Sequence, residues 1–168
     1  ENLHNYSIDK KSFYEIAIQR INKLSNISPK NQNEFKEFYT NLVDSLRQYL
    51  ESQFQIPAME STSGELLIRI KVFSENKKYN IENKRLKDLE KLFSKSDLIK
   101  FAKSLPSKNE LANDIKTISS FIKTINDFYL KEIELEIDSE NLTSSNNQER
   151  NTFQLKKLAY LFTGSILS

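Results

Sequence analysis

The stretch Glu34–Leu67, EFKEFYTNLVDSLRQYLESQFQIPAMESTSGELL, constrains the fold of this chain more than any other. Its apolar residues fall at Phe35, Phe38, Leu42, Leu46 and Tyr49, with Phe54 one turn on, and Tyr39, Val43 and Leu50 widen the stripe. Steps of three and four trace one face of a 3.6-residue helix. Glu37, Asn41, Asp44, Ser45, Gln48 and Glu51 fall on the other side and are expected in water. Pro57 ends the run, because it has no N–H to donate and pushes Ile56 out of the α region. Thr62-Ser63-Gly64-Glu65 then matches a capping box, in which the Thr62 hydroxyl and the Glu65 carboxylate satisfy each other's backbone amides. The pattern is helix, corner, helix.

A shorter block downstream, SKSDLIKFAKSLPSKNEL, supplies a packing partner for the stripe. Around these two blocks the periodicity predicts a first helix over Ile8–Leu24, with Phe13, Ile16, Ala17, Arg20, Ile21 and Leu24 on its inner side. A helix from Ser63 to Phe73 follows the corner, using Leu66, Leu67 and Ile70, and another spans Asn80–Phe93. Ser94–Asp97 matches a second capping box, which predicts a separate short helix with Leu98, Phe101, Ala102 and Leu105 inward. Pro106 ends it, and a third box at Ser107–Glu110 opens the longest helix, out to Ile137. Leu111, Ile115, Ile118, Ile122, Ile125 and Tyr129 form its core line, a near-heptad spacing that suits a bundle crossing of about 20°. The expected architecture is all-α, a single helical bundle of six or seven helices, with the bundle domain over residues 1–137 and the last helix attached by a flexible joint. Residues 138–151, DSENLTSSNNQERN, read as a polar linker. Residues 152–168 read as a C-terminal amphipathic helix that docks through Leu155, Leu158, Phe162 and Ile166, on this bundle or, in a swapped dimer, on a neighbouring copy.

Composition narrows the chemistry. With 168 residues, 38% of them hydrophobic, the chain can bury a real core and is too apolar for a disordered tail. Two glycines and three prolines are too few for the turns of an all-β fold. The 25 basic and 23 acidic residues are interspersed, which argues against affinity built on phosphate neutralisation. Without cysteine there is no disulfide, thiolate nucleophile or thiolate metal site. No window approaches 18 apolar residues, and a chain opening on Glu1 is expected to be a piece or a mature form of a longer product.

Candidate chemistry is sparse. The single histidine, His4, stands in a polar N-terminus with no Ser or Cys partner pattern around it. Asp138, Glu140 and Glu149 mimic a calcium loop, but Leu142 and Thr143 occupy a ligand and a glycine position, so no metal or cofactor is expected. Glu132, Glu134 and Glu136 alternate around a helix and read as a solvated end. Arg47, beside the apolar stripe, is expected to be buried and to pair with Glu60, Glu65 or Asp97, forming a structural corner. Lys71, Lys77, Lys78, Lys84, Arg85 and Lys87 form a loosely basic region, read as a solvated face with anionic lipid as the sharper alternative.

The blocks FYTNLVDSLRQYLESQFQIPAMESTSGELL and SDLIKFAKSLP resemble the cytoplasmic tail of BatD-like membrane proteins of the Bacteroides-aerotolerance type. The likeness runs from Phe13 to Glu110 and stops short of the segment after Ile137. It implies a small helical domain on the cytoplasmic face of the bacterial inner membrane, following a membrane anchor that lies outside this chain. It also implies an operating context of MoxR-type AAA+ ATPases and von Willebrand factor A membrane proteins, and it carries no catalytic residues. The resulting expectation is a non-enzymatic protein–protein interaction domain of an envelope-maintenance system, with no cofactor and no nucleic-acid partner. The competing expectation is a cytosolic helical adaptor that binds nucleic acid or another ligand, and an enzyme ranks third.

Overall fold

The structure, a computed structural model, describes residues 11–102 and 105–143, and five α-helices order these residues. α1 spans Phe13–Ser25, α2 Gln32–Phe54, α3 Ser63–Asn76, α4 Asn83–Ala102 and α5 Lys108–Thr143. The fold is all-helical as expected, with five helices among the described residues in place of six or seven.

The missing helix boundary lies at residues 94–97. The expected capping box there is not formed, and α4 runs through it without a break. Leu89, Leu92, Phe93, Ser96 and Ile99 are all buried and recur at helical spacing, so a break would interrupt a continuous core stripe. Nothing between Asn83 and Ala102 is a proline or glycine to force one. Continuity also fixes the phase: Leu98 falls opposite Leu89 and is 56% exposed, and Phe101 is 85% exposed. Leu105, beyond the helix, is exposed as well. The expectation that Leu98, Phe101 and Leu105 point inward is therefore overturned. One unregistered signal lies at the other end: Ser12 and Glu15 form a full capping box that starts α1 at Phe13. The expected start at Ile8 lies outside the described residues, as does His4.

α2 is the centre of the bundle, packed against α1, α4 and α5. Ten of its residues are buried, so its inner face is much wider than a single stripe and takes in Ser45, which was expected in water. Asn31 caps its start by accepting from the Asn33 and Glu34 amides. Its end is a left-handed residue, Gln55, at φ 58°. α5 runs alongside α2 in the same direction, with Tyr39 beside Asp114, Tyr49 beside Asn126 and Phe54 beside Tyr129. α5 is opened by the expected Ser107–Glu110 box. It continues through Thr143, into the stretch read as a linker, since no proline or glycine stops it. The rest of that stretch, and the helix and dimer contact expected over residues 152–168, lie outside the described residues.

Two clasps of like design hold α5, one near each end. At the far one, Tyr79 and Lys77 from the α3–α4 loop both donate to Glu132, at 2.6 and 2.8 Å. Glu132 is thus more than the solvated residue the sequence suggested. Burial works to raise its pKa, but the hydrogen bonds from Lys77 and Tyr79 outweigh it and hold the carboxyl below its ordinary range. A depressed folded-state pKa contributes stability above the unfolded value, about 4.3, that is lost as pH falls through the folded one. The clasp is partly solvated, so its worth is about 1 kcal/mol. Glu132→Gln should therefore melt below the wild type at pH 7, and the gap should close towards pH 3. A gap that stays constant across that range would show that the Glu132 charge is not what stabilises.

Candidate functional site

The corner after α2 is held by Arg47. Arg47 is buried, 9% exposed, and its Nη1 donates to the backbone carbonyls of Ala58 and of Ser61, the latter at 2.6 Å. The carboxylates expected to pair with it do not. Glu65 is exposed and completes the Thr62 capping box, accepting from the Thr62 amide at 2.8 Å and from its hydroxyl at 2.9 Å. Those bonds, the backbone one foremost, hold its carboxyl below the ordinary range. Glu60 is exposed, and Asp97 sits half-buried on α4 without a bond to Arg47. The physical reason is that the chain reversing through Pro57 leaves two inward-facing carbonyls without helical partners. One guanidinium can satisfy both without burying a second charge. Arg47 ties a loop down, so the corner is structural.

The convergent chemistry lies elsewhere, in a cleft of about 470 Å³ between α4 and α5. Asp114 and Lys95 line it: the fully buried Tyr39 hydroxyl donates to Asp114 Oδ2 at 2.5 Å, and the Lys95 ammonium donates to both Asp114 oxygens at 3.1 and 2.9 Å. Lys95 also lies 3.5 Å from Glu110. Asp114 is 6% exposed, so this is a carboxylate held inside the bundle by one phenol and one amine. Burial, then the bond to Asp114, pushes the Tyr39 phenol far up, so its proton stays on the oxygen. Leu92 and Phe121 are both buried beside this group and line the cleft.

The walls carry charge. Five basic side chains, Lys84, Arg85, Lys91, Lys95 and Lys116, line the cleft against three acidic ones, Glu82, Asp88 and Asp114. The acids are spoken for: Lys84 pairs with Asp88 at 2.6 Å, Arg85 lies 3.9 Å from Glu82, and Lys95 holds Asp114. Lys91 on α4 and Lys116 on α5 are exposed and make no ion pair among the described residues. Lys71, Lys77, Lys78, Lys84 and Lys87 of the basic region are exposed, as a solvated face requires, and Lys77, Lys84 and Arg85 each have a carboxylate neighbour. No group of acidic or histidine side chains among the described residues could hold a metal ion.

The cleft escaped the sequence reading, although one signal of it was present. Asp114 stands three residues after Leu111 and four before Ile118, so a charge sits on the core stripe of α5, where a partner is obligatory. The identity of that partner was not legible, since Tyr39 and Lys95 come from two other helices. Tyr39→Phe removes one of the two groups that hold a buried carboxylate. It should cost about 1–3 kcal/mol in urea denaturation. A loss below about 0.5 kcal/mol would mean that Lys95 alone satisfies Asp114.

Comparison of the chain with known family models, with curated proteins and with solved structures finds no match in any of the three.

Proposed function

We propose that the chain is a non-enzymatic protein-interaction domain, and that the α4–α5 cleft is where its partner binds. One observation carries this reading: the ionisable groups at the floor of the cleft are locked into Tyr39–Asp114–Lys95. A phenol whose proton is held on oxygen by a buried carboxylate is a poor base or nucleophile. An amine gripped by two carboxylates is likewise committed to structure. The cleft therefore offers a rigid, charged, concave surface, which suits recognition.

The resemblance to BatD-like tails supplies the setting of the proposal. The domain works at the cytoplasmic face of the bacterial inner membrane, and its partner is a MoxR-type ATPase or a von Willebrand factor A membrane protein. No helix among the described residues is long and apolar enough to cross a membrane, so attachment falls to a segment outside them. The test is to titrate the purified chain with those two proteins from the same genome and to map protected amides by hydrogen exchange. Protection of α4 and α5 along the cleft is expected. Absence of binding to both proteins, or protection confined to α1, would sink the reading.

A further inference from the structure

We infer that the α4–α5 cleft takes an extended acidic segment of its partner, with carboxylates meeting Lys91 and Lys116. The inference rests on the protein-binding reading above and adds the chemistry of what binds. Three features lead to it. The first is the charge left over once internal pairs are formed. Asp88, Glu82 and Asp114 are each in contact with a cation within the cleft, whereas Lys91 on one wall, which acts on Asp88 only through its field, and Lys116 on the other make no direct ion pair among the described residues. A ligand that enters meets two ammonium groups that make no ion-pair contact, one from each side.

The second feature is that the floor cannot rearrange to neutralise them. Asp114 is the one buried acid among the described residues, and both its oxygens are already taken by Lys95 and Tyr39. The positive excess is therefore built in, and an acidic ligand supplies its counter-charge in place of mobile ions. The third feature is shape. From Lys84 to Lys95 the α4 wall rises about 16 Å, at about 1.5 Å per residue. That length matches about five residues of extended chain. The cleft is concave, so a flat lipid surface cannot reach its floor. Asp88 and Glu82 interrupt the basic side chains along the wall, which is unfavourable for the close phosphate array of a nucleic acid but tolerable for carboxylates spaced along a peptide.

The experiment uses the full chain and a fluorescein-labelled octaglutamate peptide, with octaglutamine as the neutral control, read by fluorescence anisotropy. At about 50 mM salt the acidic peptide should bind and the neutral one should not, and binding should weaken as added salt shortens the screening length. Lys91→Glu with Lys116→Glu should weaken binding by about tenfold or more. Lys71→Glu with Lys87→Glu makes the same charge change in the separate cavity between α3 and α4, and should weaken it by less than about threefold. All four lysines are exposed, so both variants should fold, and Lys91→Gln with Lys116→Gln serves if the charge reversal does not. Equal losses in the two double variants would show that the peptide senses only net charge and would overturn the inference. So would equal binding of the two peptides, or displacement of octaglutamate by phosphatidylserine vesicles. If a partner protein protects the cleft while octaglutamate fails, the acidic chemistry falls and the interaction reading stands. If octaglutamate binds as described but neither protein does, the reverse holds.

Discussion

Arg47→Ala is expected to destabilise the protein by about 2–4 kcal/mol, measured by chemical denaturation. The mutation leaves the carbonyls of Ala58 and Ser61 buried without their donor, and both of those residues are buried themselves. It also removes an aliphatic stem packed in a helix with nine other buried residues. Arg47→Met separates the two contributions, because it restores most of the stem and none of the hydrogen bonds. If the carbonyls dominate, methionine should recover less than half of the loss. The ion-pair expectation would instead have made neutralising Glu60 or Asp97 equally harmful. The geometry predicts that Glu60→Gln and Asp97→Asn change stability by no more than about 0.5 kcal/mol. An Arg47→Ala loss below about 1 kcal/mol would refute the assignment.

The second large effect contrasts two residues that the sequence placed in one core. Leu46 is fully buried in α2, among Leu42, Tyr49 and Leu50. Its truncation to alanine should cost about 2–5 kcal/mol, the spread reflecting how far the bundle can close on the void. Phe101, near the end of α4, is 85% exposed, and Phe101→Ala should stay within about 0.5 kcal/mol. Melting curves of the two variants side by side test the phase of α4 directly. A Phe101→Ala loss comparable to that of Leu46→Ala would mean that α4 breaks at Ser94 after all and turns Phe101 inward.

Local sequence patterns determined the all-helical class and the position of α2 as the element others pack on through periodicity, the corner after Phe54 through Pro57, and the starts at Thr62 and Ser107 through their capping boxes. These are short-range effects, carried by residues within a turn or two of each other, so they can be read along the chain. The box at Ser94–Asp97 differs from the other two in carrying the shorter Asp where they carry Glu, and it did not form because Leu89, Phe93, Ser96 and Ile99 had a continuous groove to fill. A cap contributes about 1 kcal/mol, and burying several core side chains outweighs it. Arg47 was read correctly as a buried charge but given the wrong partners, because backbone carbonyls freed by a turn leave no mark in the sequence. The cleft shows the same limit. Asp114 could be seen as a charge on a core stripe, but only the packing of α2, α4 and α5 decided that Tyr39 and Lys95 would answer it and that Lys91 and Lys116 would be left over. Those contacts join residues up to 75 positions apart, and no local rule spans that distance.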